Sequence, residues 1–254
     1  KKLLILLCSL LISFNSYGKT VCVEENSVQE RGGTYYLVNQ QEPFTGDNLC
    51  AYTNSGQYHS KGKIKKGKKD GEWIWWHENG QIKDEANFKD GKEDGKWTLW
   101  DENGSLKFEG HYKDGKKDGK LTWWDENGQK TSEGNYKDGK AHGKLTEWYE
   151  NGQIKAEVNF KDDKKDGKWT LWDENGQKRS EGNYKDGKLD GKSTYWYENG
   201  SLKFEGHYKD GKQDGKLTEW YENGQIWSEE NYKDGKKDGK MTEWYANGQL
   251  DFEG

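Results

Sequence analysis

Residues 112–135 read YKDGKKDGKLTWWDENGQKTSEGN, and close copies of this 24-residue stretch follow one another along the chain. Trp76, Trp100, Trp124, Trp148, Trp172, Trp196, Trp220 and Trp244 stand 24 residues apart. So do the glycines from Gly71 to Gly239 and the Asn-Gly pairs from Asn79-Gly80 to Asn247-Gly248. A fixed period of this size marks a repeat architecture in which one unit is one supersecondary element. Some units agree better at a spacing of 72, as 136–157 does with 208–229, which points to growth by copying three units together.

Within a unit there are two strand-like runs. Lys96-Trp97-Thr98-Leu99-Trp100 is rich in aromatic and β-branched types, which suit a pleated surface. Leu106 to Tyr112 alternates apolar or small residues with polar ones. Asn103-Gly104 lies between them, and Asn-Gly is a strong signal for a two-residue type I′ hairpin. The stretch Lys-Asp-Gly-Lys-Lys-Asp-Gly-Lys reads as a second turn leading to the next unit. Several glycines per unit exclude helix. The expected fold is therefore all-β, an elongated antiparallel β-hairpin repeat array of about eight units. At about 4.8 Å per strand the array would run roughly 75–80 Å.

A two-residue Asn-Gly loop would set residue 101 opposite 106. The eight such pairs include Asp125/Lys130, Asp173/Lys178, Tyr149/Ile154 and Tyr221/Ile226, as cross-strand neighbours should match. On that register the recurrent Trp lies on the face opposite Leu106, Phe108 and Tyr112.

Composition separates this chain from ordinary globular and disordered classes alike. Hydrophobic residues make up 29% and charged residues 34%, too little apolar material for a thick core. Yet 14 Trp, 15 Tyr and 7 Phe supply large buried areas from few positions, which disordered chains lack. Residues 1–18 read as a secretory signal peptide: Lys1-Lys2, an apolar run from Leu3 to Phe14, and small residues at Ser16 and Gly18. Residues 19–63 would form an N-terminal cap with one degenerate repeat beginning near Pro43, and 64–254 the regular repeats. Export leaves Cys22 and Cys50 as candidates for a disulfide, with two free thiols as the alternative. No second membrane segment follows.

The unit resembles the bacterial variant of the MORN repeat through Tyr112-Lys113-Asp114-Gly115, Gly119 and the Trp-x-Glu-Asn-Gly-Gln stretch. The resemblance covers roughly residues 43–254 and departs at Asp163, where other units have Gly, and at Ser193, where most have Leu or Trp. It implies consecutive hairpins in a single-layer twisted sheet and an interaction or scaffolding role. Many bacterial members carry an antitoxin-like label, which an exported chain fits poorly.

Catalytic and metal signatures are absent from the sequence. His59, His77, His111, His142 and His207 lack ligand spacing with Cys or a second His. Lysines flank the Asp-Gly loops, so turn geometry explains them better than calcium. No cofactor is implied. The candidate partner surface is the row Trp73, Trp75, Trp76, Trp100, Trp124, Trp148, Trp172, Trp196, Trp220 and Trp244. Its bland reading is packing, and Trp73, Trp75 and Trp76 are the strongest candidates for a ligand platform. Signal removal takes the net charge from −5 to −7 through loss of Lys1 and Lys2, which argues against nucleic acid. The inter-unit turns sum to about +11 and the Asn-Gly turns to about −10, so one long edge is basic and the other acidic. That polarity would allow self-association edge to edge. The reading is a non-enzymatic exported scaffold for a protein partner or cell-envelope component. Carbohydrate or choline-type wall binding through the Trp row, and an antitoxin-like immunity role, are the alternatives.

Overall fold

The computed structural model describes residues 19–254, so the signal-peptide reading of residues 1–18 lies outside the described residues. Those residues form 23 strands and no helix. Four short strands come first: β1 (Lys19–Val21), β2 (Val28–Glu30), β3 (Tyr35–Leu37) and β4 (Gly46–Ala51). β2 and β3 make a separate two-stranded hairpin. β1 lies parallel to β4, and β4 pairs antiparallel with β5 (Tyr58–Lys65). From there the strands pair antiparallel in chain order, through Lys116–Trp124 and Lys130–Lys137 in mid-array to Leu250–Glu253, with two of them broken into collinear pieces, Lys188–Leu189 with Gly191–Trp196 and Lys236–Lys237 with Thr242–Trp244. The result is one open meander, a single sheet with turns of one kind along each long edge.

The type I′ turn falls at the Asp-Gly pair. Asp114 and Gly115 have φ of 50° and 79°, and Lys113 pairs with Lys116 across them. Asn103-Gly104 behaves differently, because only the glycine has positive φ, 82°. Asp101 N donates to Ser105 O at 2.9 Å and Gly104 N donates back to Asp101 O at 2.9 Å. This is a three-residue loop, a type I turn closed by a left-handed glycine.

The reason lies in the Asn side chain. Oδ1 of Asn79, Asn151 and Asn223 accepts a bond from the backbone N–H two residues on, an Asx turn that keeps Asn right-handed. Nδ2 of the same residues donates to the backbone of the next unit's loop, as Asn79 does to Glu102 O at 2.7 Å. The expected pairing of 101 with 106 is therefore off by one. Trp100 pairs with Leu106 and Leu99 with Phe108, with a bulge between them. Asp125 and Asp173 do not face Lys130 and Lys178; each caps its own loop, accepting from the N–H groups two and four residues on. Trp196 and Leu202 line the same groove, so the recurrent Trp shares a face with position 106 rather than opposing it.

The eight-residue second turn is likewise shorter than its sequence suggests. Only its first Asp-Gly turns the chain, while the second lies inside a nine-residue strand, where Gly119 (φ 103°) makes a bulge between Lys117 and Leu121. Asp118 Oδ2 then accepts the backbone N–H of Asp138, tying one unit's bulge to the next unit's turn. Asp163 has φ of 67° where other units use Gly, and its carboxylate accepts the Ala141 N–H at 2.7 Å.

The core is one row of large residues against small ones. Trp73, Leu121 and Trp169 lie opposite Ala86, Gly110 and Gly182 across the ladder. A Cβ on Gly62 would meet the Trp73 ring at 2.2 Å, so the ring needs that glycine. At the cap Val21, Phe44, Ile64 and Trp73 form a buried cluster. Cys22 and Cys50 are joined by a disulfide across the cap, spanning 28 residues of sequence.

Candidate binding faces

Alternation along each strand gives the sheet two unlike faces. One carries a ladder of lysines, glutamates and threonines. Lys96–Glu109 (2.7 Å), Lys120–Glu133 (2.9 Å), Lys168–Glu181 (3.2 Å), Lys192–Glu205 (2.7 Å) and Lys216–Glu229 (2.6 Å) recur at the same unit position, and Lys144–Glu157 and Lys240–Glu253 continue the series. Lys178, with Lys168 behind it, holds Glu181 below the ordinary carboxylate range against the opposing effect of partial burial. Exposed pairs of this kind stabilise by well under about 1 kcal/mol each. Their larger effect is to cancel charge, leaving this face locally neutral.

The Trp row borders this ladder. Trp76, Trp100, Trp124, Trp148, Trp172, Trp196, Trp220 and Trp244 are all half-buried. Their carbonyls take part in a relay between units: Tyr149, Tyr197 and Tyr221 hydroxyls donate to Trp172, Trp220 and Trp244 O at 2.9, 2.8 and 3.0 Å. His77 Nε2 makes the equivalent bond to Trp100 O at 3.0 Å. Lys130 and Lys178 ammonium groups sit 5.8 and 5.9 Å over the Trp148 and Trp196 rings. These tryptophans thus join neighbouring units as well as facing solvent.

The first regular unit departs from expectation. Trp73 is only 1% exposed and donates its indole N–H to Lys63 O at 3.0 Å, so it is core and no part of a ligand platform. It stands near Trp75 and Trp76 in sequence, but its ring lies over Gly62 and packs into the cap cluster. Trp73, Trp75 and Phe88 do form an aromatic cage, and Lys69 Nζ fills it at 4.4, 4.7 and 5.1 Å from the three rings. A cage of this type is built for ammonium groups. Here the ammonium is the protein's own.

The opposite face carries a row that sequence reading did not single out. Through the ladder, Leu99, Phe108, Trp123, Ser132, Glu147, Ala156, Leu171, Ser180, Tyr195, Phe204 and Glu219 are successive neighbours. The row is filled by rings at Phe108–Trp123 (5.1 Å between centroids) and again at Tyr195–Phe204 (5.4 Å). Between these ring pairs Ser132, Ala156 and Ser180 stand where Phe108 and Phe204 stand in their own units. The missing rings leave a groove of about 690 Å³. Leu171, 37% exposed, lies on its floor; Lys155, Arg179 and Lys203 line it from the same repeat position, Trp172 and Trp196 of the Trp row reach it from the sheet edge, and Glu147 and Glu219 stand at its two ends. Among the described residues none of these three cations forms an ion pair. The lysine ammonium groups rest on Tyr149 and Tyr197 at 5.8 and 5.3 Å.

The signal for this groove was variation rather than repetition. The positions of Leu99 and Phe108 change character between copies, while the adjacent Trp100 and Glu109 positions are the same in all eight. Among the described residues no group of three or more His, Cys, Asp or Glu side chains is placed to hold a metal ion. No helix of the described residues is long and apolar enough to cross a membrane.

Comparison with known families adds one finding. The family model described as MORN repeat variant matches residues 69–90, 93–114, 117–138, 141–162, 165–186, 189–210, 213–234 and 237–254. Each match begins one residue into the strand that leaves a two-residue turn, and all but the last, which runs to Gly254, end on the first residue of the next such turn, so each spans one hairpin. No curated protein matches the chain.

Proposed function

The chain belongs to the MORN repeat variant family, and from that membership together with its sheet we propose that it is a non-enzymatic, exported binding scaffold presenting long faces to a protein partner. The observation that carries this reading is the groove, with an apolar floor and three cations that form no ion pair among the described residues. A repeat array contacts itself only through nearest neighbours, so its side-chain rows stay open along the whole length. Local variation at two positions then changes the surface without disturbing the frame.

Export is supported by the basic-then-apolar start of the sequence and by the Cys22–Cys50 disulfide, a bond rare in reducing compartments. Both speak against a cytoplasmic antitoxin. Choline-type binding loses its best site to Lys69, while a cell-envelope component would meet a face whose Lys/Glu charges already cancel. A protein partner is the reading that uses the groove.

Photo-crosslinking in the producing cell tests it. Probes at Lys155 and Lys203, which line the groove, should give a discrete protein adduct, whereas a probe at Lys192 on the Lys/Glu ladder should not. Absence of any protein adduct from either groove position overturns the scaffold reading. Alkylation of Cys22 and Cys50 in unbroken cells without prior reduction would overturn export.

A further inference from the structure

The cations of the groove are set at a fixed interval. Lys155, Arg179 and Lys203 occupy one repeat position in three successive units, so each is two strands from the next. At about 4.8 Å per strand that interval is about 9.6 Å along the array axis. An extended protein chain advances about 3.3 Å per residue, and a polyproline II segment about 3.1 Å with three residues per turn. In polyproline II every third side chain returns to the same side after about 9.3 Å, whereas a β-strand, alternating sides, would not present them so. The cation spacing and the peptide spacing coincide.

The floor between the cations is apolar. Leu171 lies on the strand between those of Lys155 and Arg179, with Ala156 next to Lys155, and Tyr195 lies on the strand between those of Arg179 and Lys203. Apolar side chains of a peptide would be well placed. Tyr195 and Phe204 close one end of the trough as rings, a wall of the kind that docks extended proline-rich segments. Glu147 and Glu219 at the ends limit how far an acidic ligand can extend, and favour basic residues beyond it.

We propose that this groove binds an extended segment of a partner protein carrying a carboxylate at every third residue with apolar residues between. The assignment rests on the scaffold reading and supplies its site and the chemistry of its partner. Arg179 is the centre of it, as the middle cation of the three and a guanidinium able to grip a carboxylate with two parallel bonds. Ser180 is the second determinant, because its small side chain keeps the floor open where Phe108 and Phe204 close it elsewhere.

Fluorescence anisotropy with labelled acetyl-(Glu-Pro-Leu)3-amide on the full chain is the test. A peptide of the same composition with its three glutamates adjacent, and a Lys-Pro-Leu version, are the comparisons. The matched peptide should bind at least tenfold more tightly than either. Arg179→Glu should lower its affinity at least tenfold with thermal unfolding unchanged. Ser180→Phe, which installs a side chain the array already carries at that position, should do the same. Equal binding of the three peptides, or no effect of Arg179→Glu, overturns the assignment. So does tighter binding of a polyuronate oligosaccharide that competes with the peptide, or dimerisation of the chain alone that Arg179→Glu abolishes. A cellular protein adduct that persists undiminished in Arg179→Glu would remove this assignment while leaving the scaffold reading in place.

Discussion

Ser193 offers a measurement of what one unit's packing contributes. Its side chain is 1% exposed and its Oγ has no hydrogen-bond partner. It stands across from Gly206, and a Cβ on Gly182 would come within 2.6 Å of its hydroxyl. The row Trp169, Gly182, Ser193, Gly206, Leu217 repeats the row Trp97, Gly110, Leu121, Gly134, Leu145 except at this one residue, and Leu121 is fully buried. The array therefore already shows the packing that Ser193→Leu would create. Removing an unsatisfied buried hydroxyl relieves about 1–3 kcal/mol. Burying three more carbons contributes roughly 2.4 kcal/mol at about 0.8 each. Residual overpacking subtracts about 1–3 kcal/mol. The net expectation is stabilisation of about 2 kcal/mol, a rise in Tm of about 4–8 °C for a chain of this size. Differential scanning calorimetry reads it directly. Ser193→Ala separates the two contributions, since it removes the hydroxyl without filling the space, and should stabilise by about 1 kcal/mol. A lower Tm for Ser193→Leu, or a destabilised Ser193→Ala, would refute the reasoning, the second because the hydroxyl must then have a partner.

Two further expectations come from the cap and the first regular unit. Burial pushes the Asp84 carboxyl up to about 6, against the opposing pull of the Trp97 indole N–H at 2.5 Å and of Lys83 and Lys69. A carboxyl raised in the folded state favours folding while protonated, so its contribution is complete below about pH 4 and is lost as pH rises through about 6. Asp84→Asn, which keeps the acceptor for Trp97, should be more stable than the parent at pH 7.5 and equal to it at pH 4; parallel urea-unfolding curves at the two pH values would count against this. Removing the disulfide as Cys22→Ser/Cys50→Ser frees a loop with a sequence separation of 28, which chain-entropy arguments put at about 3.5 kcal/mol. Hydrogen exchange should show that loss in residues 19–65 and leave the mid-array strands protected as before. Uniform deprotection along the array would contradict it.

The period of 24, the hairpin unit and the strand content could be read from the sequence, because alternation and turn residues recur in register. The turn types could not. Asn-Gly and Asp-Gly both favour positive φ, and which of them takes the two-residue turn depends on partners 20 or more residues away. Asn79 donates to the next loop and Asp118 accepts from the next turn, contacts made only once the units stack. The one-residue error in register followed from that exchange, and with it the face assigned to Leu106. Tyr149 illustrates the same limit: its apparent match to Ile154 is accidental, and its hydroxyl bonds to Trp172 O in the next unit. Trp73, Trp75 and Trp76 together look like a platform, whereas Trp73 lies over Gly62 as core and the Lys69 ammonium covers both Trp73 and Trp75. The groove escaped notice because a search for repetition weights constant positions, while a site on a repeat frame is written in the positions that vary.

Deletion of residues 112–135 tests the central claim, that each unit is one hairpin leaning only on its neighbours. The deletion joins His111 to Tyr136, so register is preserved and both interfaces are re-formed from like surfaces. The shortened chain should keep a β-sheet circular dichroism spectrum per residue and a cooperative thermal transition close to the parent's. Loss of the cooperative transition would contradict the modular array.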